Sequence, residues 1–136
     1  MNTSISMSVD IRLLAYTSLL CILMWLPYVL LALKTFGFKN LVSYPTPSYL
    51  GLAQWAQRLH RAHMNLIENL IPFAIFIIIS HLTGTANEMT ALGARLFFWS
   101  RLAQILFHMV GIPWGRTIAF AIGWAGNLII FIQIIG

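Results

Sequence analysis

Four polar side chains and a proline follow one face of a predicted helix in an otherwise apolar chain. They repeat at intervals of three, four, three and four residues: Arg58, Arg61, Asn65, Glu68 and Pro72. This spacing puts side chains above one another on one face of an α-helix, and we call this face the polar stripe. With about 1.5 Å of rise per residue, it would carry charge over roughly 15 Å, from the membrane boundary into the hydrocarbon region. Because Pro72 lacks an amide hydrogen for the Glu68 carbonyl, the helix should bend beside its deepest acid.

Glu68 is the group of the polar stripe that most needs a partner. A lone carboxylate in the hydrocarbon region costs about 2.5 to 3.5 kcal/mol, so Glu68 must face protein or water. A second predicted helix carries Arg101, Gln104 and His108, again spaced by three and four residues. Since antiparallel packing would bring Arg101 to the depth of Glu68, we predict a Glu68–Arg101 ion pair. The alternative is that this pair only clamps the bundle and touches no ligand.

Arg116 opens the last predicted helix, where free backbone amides and the helix dipole favour an anion, and Thr117 adds a hydroxyl beside it. A thiolate is such an anion, and an arginine that stabilises the ionised thiol makes a nucleophile available at neutral pH. Arg116 and the polar stripe converge on one membrane side, which predicts a cationic pocket for a small anionic ligand. In the competing interpretation, these arginines anchor the topology or reach lipid headgroups.

The histidines and the single cysteine predict no metal site. His60, His63 and His81 match no spacing of metal ligands, so we expect interfacial side chains there. Cys21 alone excludes an intrachain disulfide and a multi-cysteine metal site. Serine, histidine and aspartate form no hydrolase pattern, and Asp10 is expected in a disordered tail.

Apolar helices must position these groups. Of 136 residues, 60% are hydrophobic and 8% charged, with a mean hydropathy of +0.84, whereas a soluble domain carries about a quarter charged residues. Four hydrophobic helices are predicted, at about residues 11–33, 49–82, 88–110 and 116–135. Short connections leave no room for a second domain. The sequence therefore predicts a single all-α domain over residues 1–136, an integral membrane four-helix bundle in a lipid bilayer.

The charge distribution predicts an orientation. The net charge of +5 comes from eight basic and three acidic side chains. Basic residues cluster around the first loop and at the third turn, while the second turn has only Glu88 nearby. Because cytoplasmic loops carry the excess of Lys and Arg, loops one and three are expected to face the cytoplasm. This bias accounts for the charge without nucleic acid as a partner.

Three segments carry a family resemblance: RLHRAHMNLIENLIPF at 58–73, ARLFFWSRLAQ at 94–104 and GIPWGRTIAFAIG at 111–123. They resemble the membrane-associated proteins in eicosanoid and glutathione metabolism, the MAPEG family, and look most like bacterial members. The resemblance implies a homotrimer in a bacterial inner membrane, with glutathione held between subunits near the cytoplasmic side. Arg116 would lie next to the sulfur as the catalytic residue. The residues implied to bind glutathione are Arg58, Arg61, Asn65, Glu68, Arg101, Gln104 and His108.

The resemblance favours a glutathione-dependent membrane enzyme of transferase or peroxidase type that acts on a lipophilic electrophile from the bilayer. The alternative is a non-catalytic protein of the same fold that binds a lipid or a thiol compound. Its support is that His108 and Phe120 stand where well-known enzymes of the family carry tyrosines. A third class, the small proton-coupled exporters, normally needs an acidic residue in the first span, and the first predicted helix has none.

Overall fold

The structure, a computed structural model, describes residues 7–136, and every regular element in that range is helical. This confirms the all-α prediction. The elements are α1 (Val9–Leu23), α2 (Trp25–Phe36), α3 (Phe38–Leu41), a 3-10 turn (Tyr49–Gly51), α4 (Gln54–Leu82), α5 (Glu88–Val110) and α6 (Pro113–Ile135).

Three helical stretches are long and apolar enough to cross a membrane: Val9–Phe36, Gln54–Leu82 and Pro113–Ile135. The fourth long helix, α5, is as long as α6, with 23 residues, and carries the charged residues Glu88, Arg95 and Arg101. Length therefore does not distinguish α5 from the three apolar stretches.

The structure corrects two predicted helix boundaries. The helix predicted at 11–33 is divided into α1 and α2 at Met24. Pro27 explains the break, because it has no amide hydrogen to bond the carbonyl of Leu23. The second predicted helix does not start at Tyr49: residues 49–51 form a 3-10 turn, and α4 begins at Gln54.

Helices α5 and α6 form the closest pair in the bundle. A Cβ atom added at Gly126 would lie 2.6 Å from the carbonyl oxygen of Gly93, and a Cβ at Gly93 would lie 2.6 Å from that of Gly126. Only glycine allows such an approach, as small residues do between membrane helices. On α6, the small residues Ala119, Gly123 and Gly126 are all buried.

Polar contacts hold the end of the bundle where α1 begins, α4 ends and α5 begins, which we call the Asp10 end. The Asp10 carboxylate is 3% exposed. It accepts hydrogen bonds from the Ser8 hydroxyl at 2.6 Å and from His81 Nε2 at 2.9 Å, and Thr90 Oγ1 lies 3.3 Å away. The expectation of a disordered tail at Asp10 is wrong, because this carboxylate joins three helices.

Candidate functional site

A cavity of about 680 Å³ lies at the other end of the bundle, which we call the cavity end. Its walls are the loop before α4, the first turns of α4, and the turn between α5 and α6. The basic side chains that line it are Arg58, His60, Arg61, His108 and Arg116, with no carboxylate among the lining residues. Its volume falls within the roughly 300–1,000 Å³ of small-molecule sites. An acid-free cationic cavity favours an anionic ligand.

The structure divides the residues predicted to form one site. Arg58, Arg61, His108 and Arg116 line the cavity, whereas Asn65, Glu68, Arg101 and Gln104 do not. The first four lie in the outer turns at the cavity end. The second four lie deeper along α4 and α5. Asn65, Arg101 and Gln104 contact one another inside the bundle, and Glu68 lies on its outer surface.

Arg116 is positioned by the start of α6. Pro113 occupies the first turn, where its missing amide hydrogen would have no helical partner, and its fixed φ suits the helix start. The side chain of Arg116 is half-buried and lines the cavity. Thr117 does not share this role, because its exposed hydroxyl donates to the Pro113 carbonyl at 3.0 Å.

His108 presents an unused polar atom at the cavity wall. The residue is 5% exposed, and its Nε2 has no hydrogen-bond partner among the described residues. A buried polar atom without a partner is costly, and a water molecule or ligand group that reached this nitrogen would offset that cost.

The deeper residues form a hydrogen-bonded cluster around a buried guanidinium. Arg101 is 1% exposed, and its Nη1 donates to Asn65 Oδ1 at 2.9 Å and to Gln104 Oε1 at 2.5 Å. Gln104 Nε2 also donates to Asn65 Oδ1, at 3.2 Å. The rings of Phe97 and Phe120 lie 5.1 and 5.0 Å from the guanidinium carbon, within cation–π range.

The predicted Glu68–Arg101 ion pair is wrong within this chain. Glu68 is exposed and makes no side-chain hydrogen bond or ion pair within residues 7–136, while Asn65 contacts Arg101 instead. Three residues along a helix correspond to about 300° of rotation, so Glu68 points about 60° away from Asn65 around the axis of α4. The sequence pattern put both residues on one stripe but could not show which one faces α5.

Among the histidines of α4, His63 differs from the interfacial side chain that was predicted. His63 is 6% exposed: it accepts from the Tyr28 hydroxyl at Nδ1 over 2.6 Å and donates from Nε2 to the Cys21 carbonyl over 2.7 Å. Because a carbonyl can only accept, the proton of neutral His63 lies on Nε2. His60 stacks on Tyr49 with 4.3 Å between ring centroids, and both line the cavity.

Sequence analysis missed the loop that forms one cavity wall, at residues 47–50. Gln57 fixes this loop to α4, since its Nε2 donates to the carbonyls of Leu50 and Leu52 at 3.1 and 2.7 Å. A signal was present: Gln57 precedes Arg61 by four residues and therefore shares its side of the helix.

A family model described as the MAPEG family matches residues 13–136. This chain belongs to the MAPEG family. The resemblance found in the sequence is thereby confirmed. Together with its apolar helices, membership makes this MAPEG chain an integral membrane protein.

Among curated proteins, the MAPEG chain is similar to microsomal glutathione S-transferase 1 of Bos taurus, with 31% identity over 81 residues. The proteins of that name from Homo sapiens and Sus scrofa are each 30% identical over 81 residues. These matches cover 59% of this chain and 52% of each relative, so the chain spans about half the length of the curated relatives it matches. No solved structure matches the chain.

Proposed function

We propose that this MAPEG protein is a glutathione-dependent membrane enzyme, of transferase or peroxidase type, that acts on a lipophilic electrophile. The observation that carries the proposal is the acid-free cationic cavity at the first turn of α6, with Arg116 in its wall. The names of its relatives, microsomal glutathione S-transferase 1, support the choice of thiol.

The cavity residues match the chemical groups of glutathione. Its two carboxylates suit Arg58 and Arg61, because arginine forms strong charge-assisted hydrogen bonds with carboxylates. Its thiolate suits Arg116 and the free amides at the start of α6, which favour the ionised sulfur. The unpartnered Nε2 of His108 offers one further hydrogen bond.

Two reactions fit this arrangement. In conjugation, the thiolate sulfur bonds to an electrophilic carbon, the bond from that carbon to its leaving group breaks, and the thiol proton passes to water. In peroxide reduction, two glutathione molecules are oxidised to their disulfide while a hydroperoxide becomes an alcohol and water. In both, Arg116 holds the sulfur as an anion.

We further propose a homotrimer in which each subunit spans the bilayer with four helices, α5 included. Glu68 supports this assembly, because an exposed carboxylate at hydrocarbon depth needs a protein or aqueous neighbour. The exposed side of α4 continues beyond Glu68 with Ile71, Ile75 and Ile78, which a second subunit would cover. In such a trimer, Glu68 and the Arg101 cluster would complete the glutathione site from deeper in the bundle.

The cavity end is proposed to face the cytoplasm, in a bacterial inner membrane. The positive-inside bias supports this orientation, since Lys34 in the last turn of α2 and Lys39 in α3 come just before the loop that lines the cavity with the arginines. The lipophilic substrate would then reach the cavity from the bilayer and the glutathione from the cytoplasm.

The test uses purified full-length protein in detergent, with glutathione and an electrophilic aryl halide. Wild type should form the thioether, and Arg116→Ala should lower kcat at least a hundredfold while leaving the oligomer unchanged by light scattering. Arg95→Ala is the matched control, because Arg95 is an exposed arginine of α5 that does not line the cavity. Equal losses in both variants would contradict the role of Arg116.

A second candidate function is a non-catalytic MAPEG protein that binds a thiol compound or a lipid. Phe120 favours it, because its ring packs on Arg101 and supplies no hydroxyl where well-known relatives have one. Saturable glutathione binding without thioether formation or peroxide consumption would select this candidate. Absence of binding at millimolar glutathione would overturn the glutathione site in both.

A further inference from the structure

The guanidinium of Arg58 lies directly against the turn between α5 and α6. A Cβ atom added at Gly111 would be 2.8 Å from Arg58 Cζ, 2.8 Å from Nη1 and 3.0 Å from Nη2. Real Cβ atoms do not approach heavy atoms this closely, so the space taken by the guanidinium is the space a side chain at 111 would need.

Other contacts hold Arg58 only weakly. Its one side-chain hydrogen bond within the described residues runs from Nη2 to Gln54 Oε1 at 3.4 Å, near the limit for such a bond. No carboxylate lines the cavity to pair with it. Because its polar contacts are weak, the position of this guanidinium depends on its packing against Gly111, where a side chain would occupy the same space.

We propose that Gly111 is a positioning residue: because it has no side chain, the Arg58 guanidinium packs against this turn and is held towards an anionic group of the ligand. The inference rests on the proposed function in one respect, namely that a carboxylate of glutathione is that group. Gly111 ends α5 in the left-handed region, at φ +76°, which explains a glycine here but not the contact with Arg58.

The two roles of Gly111 can be separated because the chain offers a matched glycine. Gly84 has φ +70° at the turn between α4 and α5, and a Cβ added there would meet nothing within 4 Å. Gly84→Ala therefore reports the backbone strain of a left-handed alanine alone. Gly111→Ala adds the displacement of Arg58, which is cheap to the fold because the guanidinium ends a flexible side chain.

The experiment measures glutathione binding to the full-length protein in detergent by calorimetry, together with thermal unfolding. Both alanine variants should lose similar thermal stability. Only Gly111→Ala should raise Kd, by about tenfold, because charge-assisted hydrogen bonds weaken steeply once their geometry is lost. In an Arg58→Gln background, Gly111→Ala should change Kd less than twofold, since the group it displaces is already gone.

A second readout needs no ligand. Arginine-specific modification by phenylglyoxal, followed residue by residue by mass spectrometry, should modify Arg58 faster in Gly111→Ala than in wild type or in Gly84→Ala. Equal Kd values for the two glycine variants, or additive effects with Arg58→Gln, would overturn the positioning role. Wild type that binds no glutathione would instead overturn the proposed function, and the phenylglyoxal rates would still decide the role of Gly111.

Discussion

Asn65 is the acceptor that makes the buried Arg101 tolerable, and replacing it tests the central correction to the predicted site. Asn65→Leu removes one charge-assisted hydrogen bond from Arg101 Nη1 and one neutral hydrogen bond from Gln104 Nε2. Within residues 7–136, Nε and Nη2 of Arg101 already lack partners, so the variant leaves a buried cation whose one remaining hydrogen bond in that range is to Gln104. Since a hydrogen bond to a charged group contributes about 1.5–3 kcal/mol and a neutral one about 1, we expect a loss near 3 kcal/mol.

The assay is reversible unfolding of ligand-free protein in mixed micelles, followed by near-UV circular dichroism. Asn65→Asp is the matched control: it keeps the shape and an acceptor oxygen facing Arg101, so it should retain most of the stability. If Asn65→Leu unfolds within about 0.5 kcal/mol of wild type, a range typical of surface substitutions, the reasoning is refuted. A large loss in Glu68→Gln together with an unaffected Asn65→Leu would restore the ion pair predicted from the sequence.

Two further changes test the packing of the bundle and its Asp10 end. Gly126→Ala puts a methyl group 2.6 Å from the backbone oxygen of Gly93, so α5 and α6 must move apart. This separation should lower the free energy of unfolding by about 1–3 kcal/mol. Unchanged stability would mean that the two helices do not touch at this point. Asp10→Ala removes the acceptor of the Ser8 hydroxyl and of His81 Nε2 and should cost about 2 kcal/mol in unfolding free energy. Asp10→Asn keeps the shape and an acceptor oxygen and should cost less; equal losses would show that the negative charge of Asp10, and not its acceptor oxygen, makes the contribution.

The sequence predicted what depends on periodicity and composition. The helical class follows from apolar runs, and the burial of Arg101, Gln104 and His108 follows from their spacing of three and four residues. The partner of Arg101 cannot be predicted from the spacing, because Asn65 and Glu68 share one stripe of α4. Only the rotation of α4 about its axis decides which of the two faces α5. That rotation is set by packing across the whole interface, which local spacing does not encode.

The same limit explains the two largest omissions. Asp10 looked like part of a tail, because its partner His81 lies 71 residues away along the chain. The cavity wall at residues 47–50 comes from a segment without helical periodicity. The position of Gln57 on the Arg61 side of α4 was a signal for a polar contact there, but the backbone carbonyls that it bonds could not be read from the sequence. Contacts that depend on long-range folding or on backbone atoms are invisible to side-chain patterns.

The uneven placement of polar contacts has a mechanical consequence. Side-chain hydrogen bonds join α1, α4 and α5 around Asp10, but within the described residues none joins the first two turns of α4 to the Gly111 turn. The Asn65–Arg101–Gln104 hydrogen bonds also join α4 to α5, but one turn deeper than the cavity. Spontaneous opening should therefore concentrate in the outermost turns, where the arginines surround the cavity. Ligands would then enter and leave through small separations of the helices at the cavity end, while the Asp10 end of the bundle stays closed.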